Sequence, residues 1–267
     1  MNSQNAKDLT RQRFGKYAQG YVNSQAFASA PELARLVTLT NPQPHWYVLD
    51  VATGGGHTAL TFLPYVHRVI ASDLTEIMLA SARNYARQAN GELESHLTFN
   101  VADAESLPYA QGSFHLVTCR IAAHHFPDPG QFMRQAYRVL QPGGIVAVQD
   151  LLMPPVAQAA EYINSEEYLR DPSHQRAFSQ PEWEALFSTA GFQVMHVETA
   201  VLKHPFLQWV ERQGCSAQVT AQLTDMFRTA PPAVQSWRQL TGFDGDLAQA
   251  VFYDPHILAI GRKKKIR

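Results

Sequence analysis

The chain has 267 residues, 45% of them hydrophobic, enough to bury a substantial core in one α/β domain with an elaboration; a division into two domains is allowed but not required. Its 22 basic residues against 23 acidic ones leave a formal net charge of -1, which provides no strong overall field for nucleic acid or an anionic membrane and favours a small, roughly neutral partner. Cys119 and Cys215 are the only cysteines, so no disulfide framework can be read, and both are expected as buried thiols in a reducing cytoplasm.

The first segment, 1–45, is read as helical. Its opening MNSQNAKDLTRQRFGKYAQG lacks the apolar core of a signal peptide, and no segment approaches the roughly 18 continuous apolar residues of a membrane helix, so neither export nor membrane spanning is expected. Phe14, Tyr17 and Tyr21 fall at helix-compatible spacings and serve equally well as an aromatic lid or as a stripe packed on the domain. From residue 46, short aliphatic runs alternate with helical patterns: WYVLDV, RVIASD, HLTFNV, FHLVTC and GIVAVQDLL. That alternation predicts parallel strands joined by helical crossovers near 58–65, 76–88 and 130–140, all within a core spanning 46–152. The last helix is expected to stop at Gln141-Pro142-Gly143-Gly144, where the glycines permit the turn into the next strand.

Residues 153–178, polar and proline-containing, read as an irregular or helical flap over the carboxyl edge of the sheet. In FSQPEWEALFSTAGF, Ser179 is the candidate N-cap of a helix, Pro181 sits in its first turn and Gly191 closes it. The strand FQVMHVETAVL follows, then a helical insert over 205–242 broken at Pro231-Pro232. A final strand, AVFYDPHILAIGRK, is interrupted by Pro255, which argues for an edge or a bulge, and the basic tail from Arg262 to Arg267 is expected to be solvated.

The stretch VLDVATGGGHT carries the first chemical clue. Gly54 and Gly56 let backbone approach a ligand closely at the start of a helix, where free N–H groups are available. The same glycines also satisfy a relaxed dinucleotide fingerprint. Asp73, closing the second strand, suits both ribose hydroxyls of a nucleoside, or else caps the helix after it. Asp50 discriminates between ligands. A carboxylate beside the loop repels a pyrophosphate but holds an α-ammonium, which favours a nucleoside with a cationic amino-acid tail, S-adenosylmethionine.

Four ordered segments, VLDVATGGG, VIASDLTEIML, VADAESLPYAQGSFHLVTC and AYRVLQPGGIVAVQD, resemble the class I S-adenosylmethionine-dependent methyltransferases, in particular the small-molecule branch with the ubiquinone and menaquinone C-methyltransferases. The resemblance implies a Rossmann-like, seven-stranded, mostly parallel sheet whose last strand is antiparallel, with helices on both faces. It places Asp50, Ala52, Gly54 and Gly56 around the methionine part, with Arg120 and Ile121 lining that side. Asp73 and Leu74 would grip and cover the ribose, Met78 would lie near the nucleoside, and Asp103 and Ala104 would bind adenine. Ala52 stands where glycine is commoner, and Phe14, Tyr17 and Tyr21 match a segment that folds over the cofactor in this branch.

Methyl transfer to a hydroxyl, protonated amine or acidic carbon needs a base, and His124 and His125 in CRIAAHHFPDP are the candidates, each equally able merely to shape the pocket. A metal is not expected, because adjacent histidines rarely point to one centre. Tyr168, Arg170 and His174 suit acceptor contact, and Phe206, Trp209, Met226, Phe227 and Trp237 would either wall an apolar, ring-containing acceptor or form plain core. The rivals are a nicotinamide-dependent oxidoreductase, an RNA-modifying methyltransferase and a non-catalytic cofactor-binding protein, and a homodimer is compatible with the chain.

Overall fold

Both faces of the central strands are covered, which is why they read as nearly unbroken apolar runs. Successive residues alternate between two cores: Leu49, Val117, Val146, Val148 and Ile257 face one, and Val48, Leu116, Ile145, Ala147 and Leu258 face the other. The computed structural model describes residues 2–22, 31–90 and 95–265, except the side chains of 17–22 and 90.

The strands are β1 (Tyr47–Val51), β2 (Arg68–Asp73), β3 (Leu97–Val101), β4 (Phe114–Arg120), β5 (Leu140–Met153), β6 (Phe178–Ser179), β7 (Phe192–Pro205) and β8 (Val251–Lys263). They lie in the order β3-β2-β1-β4-β5-β8-β7, with the short β6 beside the end of β5. β8 runs antiparallel to both β5 and β7, and every other neighbouring pair is parallel. The helices are α1 (Ser3–Val22), α2 (Pro31–Thr40), α3 (His57–Phe62), α4 (Glu76–Asn90), α5 (Pro129–Val139), α6 (Ala157–Arg170), α7 (Gln180–Thr189), α8 (Phe206–Arg212), α9 (Ala217–Arg228) and α10 (Pro232–Arg238). Phe132 and Met133 of α5 with Trp183 and Phe187 of α7 fill the first core, and Leu36 of α2 with Phe62 of α3 fill the second.

Local signals account for the helix ends. Asp128 caps α5 by accepting from the Gln131 N–H at 2.9 Å. Glu182 closes a capping box at α7, accepting the Ser179 N–H at 2.8 Å, and Gly191 turns the chain after the helix with φ 95°.

Three expectations need correction. The turn at 141–144 is absorbed into β5 as a bulge, its partner moving from Leu140 opposite Phe114 to Ile145 opposite Leu116, with Gly143 at φ 84°. β8 is neither an edge nor interrupted. Its Pro255 pairs with Val201 of β7, while the pairing with β5 ends at His256, so the missing N–H falls where only one neighbour remains. Lys263 of the basic tail is buried, and its ammonium donates to the carbonyls of Tyr137 and Leu140 at 2.7 Å each, satisfying the end of α5. Residues 266–267 lie outside the described residues.

The insert has a core of its own. Phe206, Trp209 and Phe227 pack with Phe243 and with Phe252 of β8. Arg238 is buried beside it and pins the insert to α6 and β8, donating to Glu166 at 3.0 Å and to Glu167 at 2.5 Å and pairing with Asp254 at 3.0 Å.

Candidate active site

Strand order reverses between β1 and β4, and in an open α/β sheet ligands bind beyond the carboxyl ends of the strands at that point. The backbone there is unusual. Ala52, one residue past β1, and Ile121, one residue past β4, both take φ 52°, a left-handed conformation costing L-residues about 1–2 kcal/mol and most foreign to a β-branched side chain. Gly54 and Gly56 follow at φ 54° and φ 83°.

A cleft of about 1050 Å3, counted out to its open mouth, lies above these turns. Asp50, Ala52, Gly54, Asp73, Leu74, Met78, Asp103, Ala104, Arg120 and Ile121 all line it. Gly56 does not; it caps α3 and faces Ala82, whose Cβ lies 3.2 Å from where a Gly56 Cβ would sit. The side chains of Tyr17 and Tyr21 lie outside the described residues, whereas Phe14 lines the cleft.

Asp50 is buried with both oxygens occupied, one accepting from the Thr53 hydroxyl at 2.6 Å and the other from the Thr118 hydroxyl at 2.7 Å. Burial pushes its pKa up to about 6, against the lowering effect of those bonds and of the Arg120 charge. Asp73 accepts from the Gly54 N–H at 3.0 Å and the Thr75 N–H at 2.9 Å, so it orders the glycine loop and the turn into α4 while still facing the cleft. Asp103 meets Lys7 of α1 at 2.7 Å, and the same ammonium reaches Glu105 at 2.6 Å. This latch from the first helix had no local signal in the sequence.

A second cavity of about 690 Å3 adjoins the first, and Phe14, Ile121 and His125 line both. The two adjacent histidines therefore differ. His124 lines only the second cavity; its Nδ1 lies 2.5 Å from Asp150 Oδ1, and its N–H donates to Asp150 Oδ2 at 2.9 Å. Burial disfavours the charge of His124, yet Asp150 outweighs burial and holds its pKa above the ordinary value. His125 sits edge-on to Phe14 at 4.9 Å, its Nδ1 3.2 Å from the Ser173 hydroxyl. Burial, helped by the neighbouring His124, drops the pKa of His125 to about 4.

Of the flap residues, Arg170 and His174 line the second cavity, while Tyr168 is half exposed and lines neither. Arg170 donates to the Trp209 carbonyl at 3.0 Å with its guanidinium 4.4 Å over the Trp209 ring, and His174 Nε2 lies 2.8 Å from Asn164 Oδ1. Of the insert aromatics only Trp209 lines the second cavity. Phe206 and Phe227 are core, Trp237 bonds the Leu152 carbonyl, and Met226 accepts from Tyr162 through its own carbonyl. The cavity wall is mixed: Ile121, Leu151 and Leu202 join Phe14 and Trp209, while His124, His125, His174, His204 and His256 stand beside Arg170 and Arg212. No cluster among the described residues is arranged to hold a metal ion.

Residues 49–148 match the methyltransferase domain family. An uncharacterized methyltransferase of Bacillus subtilis, YcgJ, is 34% identical over 210 residues, covering 79% of this chain and 82% of its own length. The chain belongs to the class I methyltransferases. The crystal structure of YcgJ overlays on this methyltransferase with a TM-score of 0.81 at 31% identity, over 88% of this chain and 98% of that one. The ubiquinone/menaquinone biosynthesis C-methyltransferase of Rickettsia felis is 35% identical over 109 residues, 39% of this chain and 43% of its own. Family membership displaces the nicotinamide oxidoreductase reading.

Proposed function

We propose that the chain transfers the methyl group of S-adenosylmethionine to a small acceptor held in the second cavity, with His125 taking the acceptor's proton. The observation that carries this reading is the place of His125 in the wall shared by both cavities.

The first cavity fits the cofactor. Asp50 is a buried carboxylate with no ion-pair partner among the described residues, and it suits an α-ammonium. Arg120 beside it suits the α-carboxylate. Each Asp73 oxygen accepts one backbone N–H, which leaves a lone pair on each for a ribose hydroxyl. Bare Gly54 keeps the loop open, since a Cβ there would fill the space to 3.7 Å from Met78 Cε. Leu74 and Met78 supply the apolar flank, Asp103 and the Ala104 N–H suit the adenine edge, and α1 with Phe14 forms the lid.

When bound, the sulfonium supplies the methyl carbon and its own leaving group, so the protein's main contribution is to hold the nucleophile in line. His125 is neutral near pH 7, so a ring nitrogen is available for the acceptor's proton although burial weakens it as a base, while His124 stays paired with Asp150 and fixes the turn that carries both. Phe14, Ile121, Leu151, Leu202 and Trp209 give an apolar or aromatic acceptor its contacts, and the histidines and arginines between them suit hydrogen-bonding substituents on the ring. Arg170 and His174 would hold those substituents, in a chain working in a reducing cytoplasm.

The test is release of S-adenosylhomocysteine from S-adenosylmethionine over a panel of hydroxylated, aminated and carbonyl-bearing ring compounds. His125→Ala is expected to lower turnover by roughly 100-fold or more with affinity for S-adenosylhomocysteine kept. Unchanged turnover would remove His125 as the base.

A further inference from the structure

We infer that Ser173 and Asp171 on the flap act as positioning residues that fix the tautomer of His125, placing its proton on Nδ1 and leaving Nε2 bare toward the acceptor. The inference rests on the reading of His125 as the base, but its geometry stands by itself.

The Ser173 hydroxyl has one hydrogen and two neighbours, Asp171 Oδ1 at 2.6 Å and His125 Nδ1 at 3.2 Å. A carboxylate only accepts, so the hydroxyl proton goes to Asp171, and the Ser173 oxygen presents a lone pair to the imidazole. Nδ1 must then carry the proton. Nε2 makes no hydrogen bond among the described residues, on a ring that lines both cavities.

Asp171 is held in the role of acceptor from three directions. It takes the Ser173 N–H at 3.0 Å within its own loop and the Gln213 amide at 2.6 Å from the insert, and Arg13 of α1 pairs with it at 3.5 Å. Burial opposes its charge, but His125, the two Ser173 bonds and Arg170 keep its pKa below the ordinary carboxylate value. Ser173 is fully buried and His125 nearly so, so water does not compete for this arrangement. A free histidine prefers the opposite tautomer, with the proton on Nε2, which would face the acceptor with a donor in place of a base.

The experiment is two-bond 1H–15N correlation spectroscopy at pH 7 on the full chain labelled with 15N-histidine, the His125 signals being those lost in His125→Gln. The expected spectrum has a protonated, pyrrole-like Nδ1 and a bare, pyridine-like Nε2. Ser173→Ala should move His125 to the Nε2–H form or a mixture, and Ser173→Thr, which keeps the hydroxyl, should restore the original pattern. A wild-type His125 protonated at Nε2 overturns the inference, as does a Ser173→Ala spectrum unchanged from wild type. If Ser173→Ala does not fold, the wild-type pattern alone decides. Full turnover in His125→Gln alongside the expected tautomer would defeat the base reading and leave the positioning intact.

Discussion

Asp50 shows how burial prepares a group for a ligand. Two threonine hydroxyls orient its carboxylate, but its charge has no ion-pair partner among the described residues, and its pKa sits near 6. Above that value the group is ionised and attracts an ammonium; below it the group is neutral and does not. Affinity for S-adenosylhomocysteine should therefore fall as pH drops from 7 to 5, measured by titration calorimetry. Asp50→Asn should weaken binding by about 10-fold or more and flatten that pH dependence, as expected for a charge-assisted hydrogen bond worth about 1.5–3 kcal/mol. The carboxylate and Thr53 both lie in VLDVATGGG, but the second partner is not legible there, because Thr118 arrives from a strand 68 positions away. The left-handed backbone of Ile121, unlike the residue itself, has no local signal: no sequence pattern announces a β-branched residue at φ 52°.

Among the elements, β8 shows where sequence reasoning succeeds and where it fails. The strand itself is predicted from AVFYDPHILAIGRK, and its antiparallel placement follows from the family resemblance. Its position between β5 and β7 depends on long-range pairing, which a proline in isolation misreports. The closeness of its packing is equally hidden. A Cβ on Gly261 would lie 2.5 Å from Cδ1 of Phe187, a ring buried in the first core with little room to move. Gly261→Ala should accordingly lower stability by about 1–3 kcal/mol, read as a fall in Tm with the cofactor site unaltered. The insert 205–242 gives the opposite lesson. Its aromatic spacing is visible, but whether such a stripe walls a pocket or fills a core depends on what packs against it, and here Phe252 of β8 turns it into core.

For the whole molecule, the histidines around the second cavity make the folded state lose stability in acid, against the buried carboxyls of Glu166, Asp50 and Asp254, whose raised pKa values work in the opposite direction. Burial leads the depression of His174, His204 and His256 to about 3, with neighbouring positive charges adding to it. A folded pKa below the unfolded value of about 6.5 means stability that is present above pH 6.5 and lost as pH falls toward 3, as the unfolded chain takes up protons the folded chain refuses. Thermal melts should show Tm dropping steadily from pH 6.5 to 4, and His204→Gln with His256→Gln should make that slope shallower. An unchanged slope would contradict the assignment of these groups. The individual strands, the glycine loop and the adjacent histidines are readable because each is local in sequence. The paired cavities are not, because α1, the flap, the insert and β8 each contribute residues to them from distant parts of the chain.

We propose that the first cavity accepts a nucleoside with a positively charged amino-acid tail. Titration calorimetry of the full chain at pH 7.5 addresses it directly, with S-adenosylhomocysteine, 5′-methylthioadenosine and NADH as separate titrants. One site per chain is expected for S-adenosylhomocysteine, with binding at least 10-fold weaker once the amino-acid tail is absent and no measurable binding of NADH. Tight binding of NADH with no heat from S-adenosylhomocysteine would contradict it.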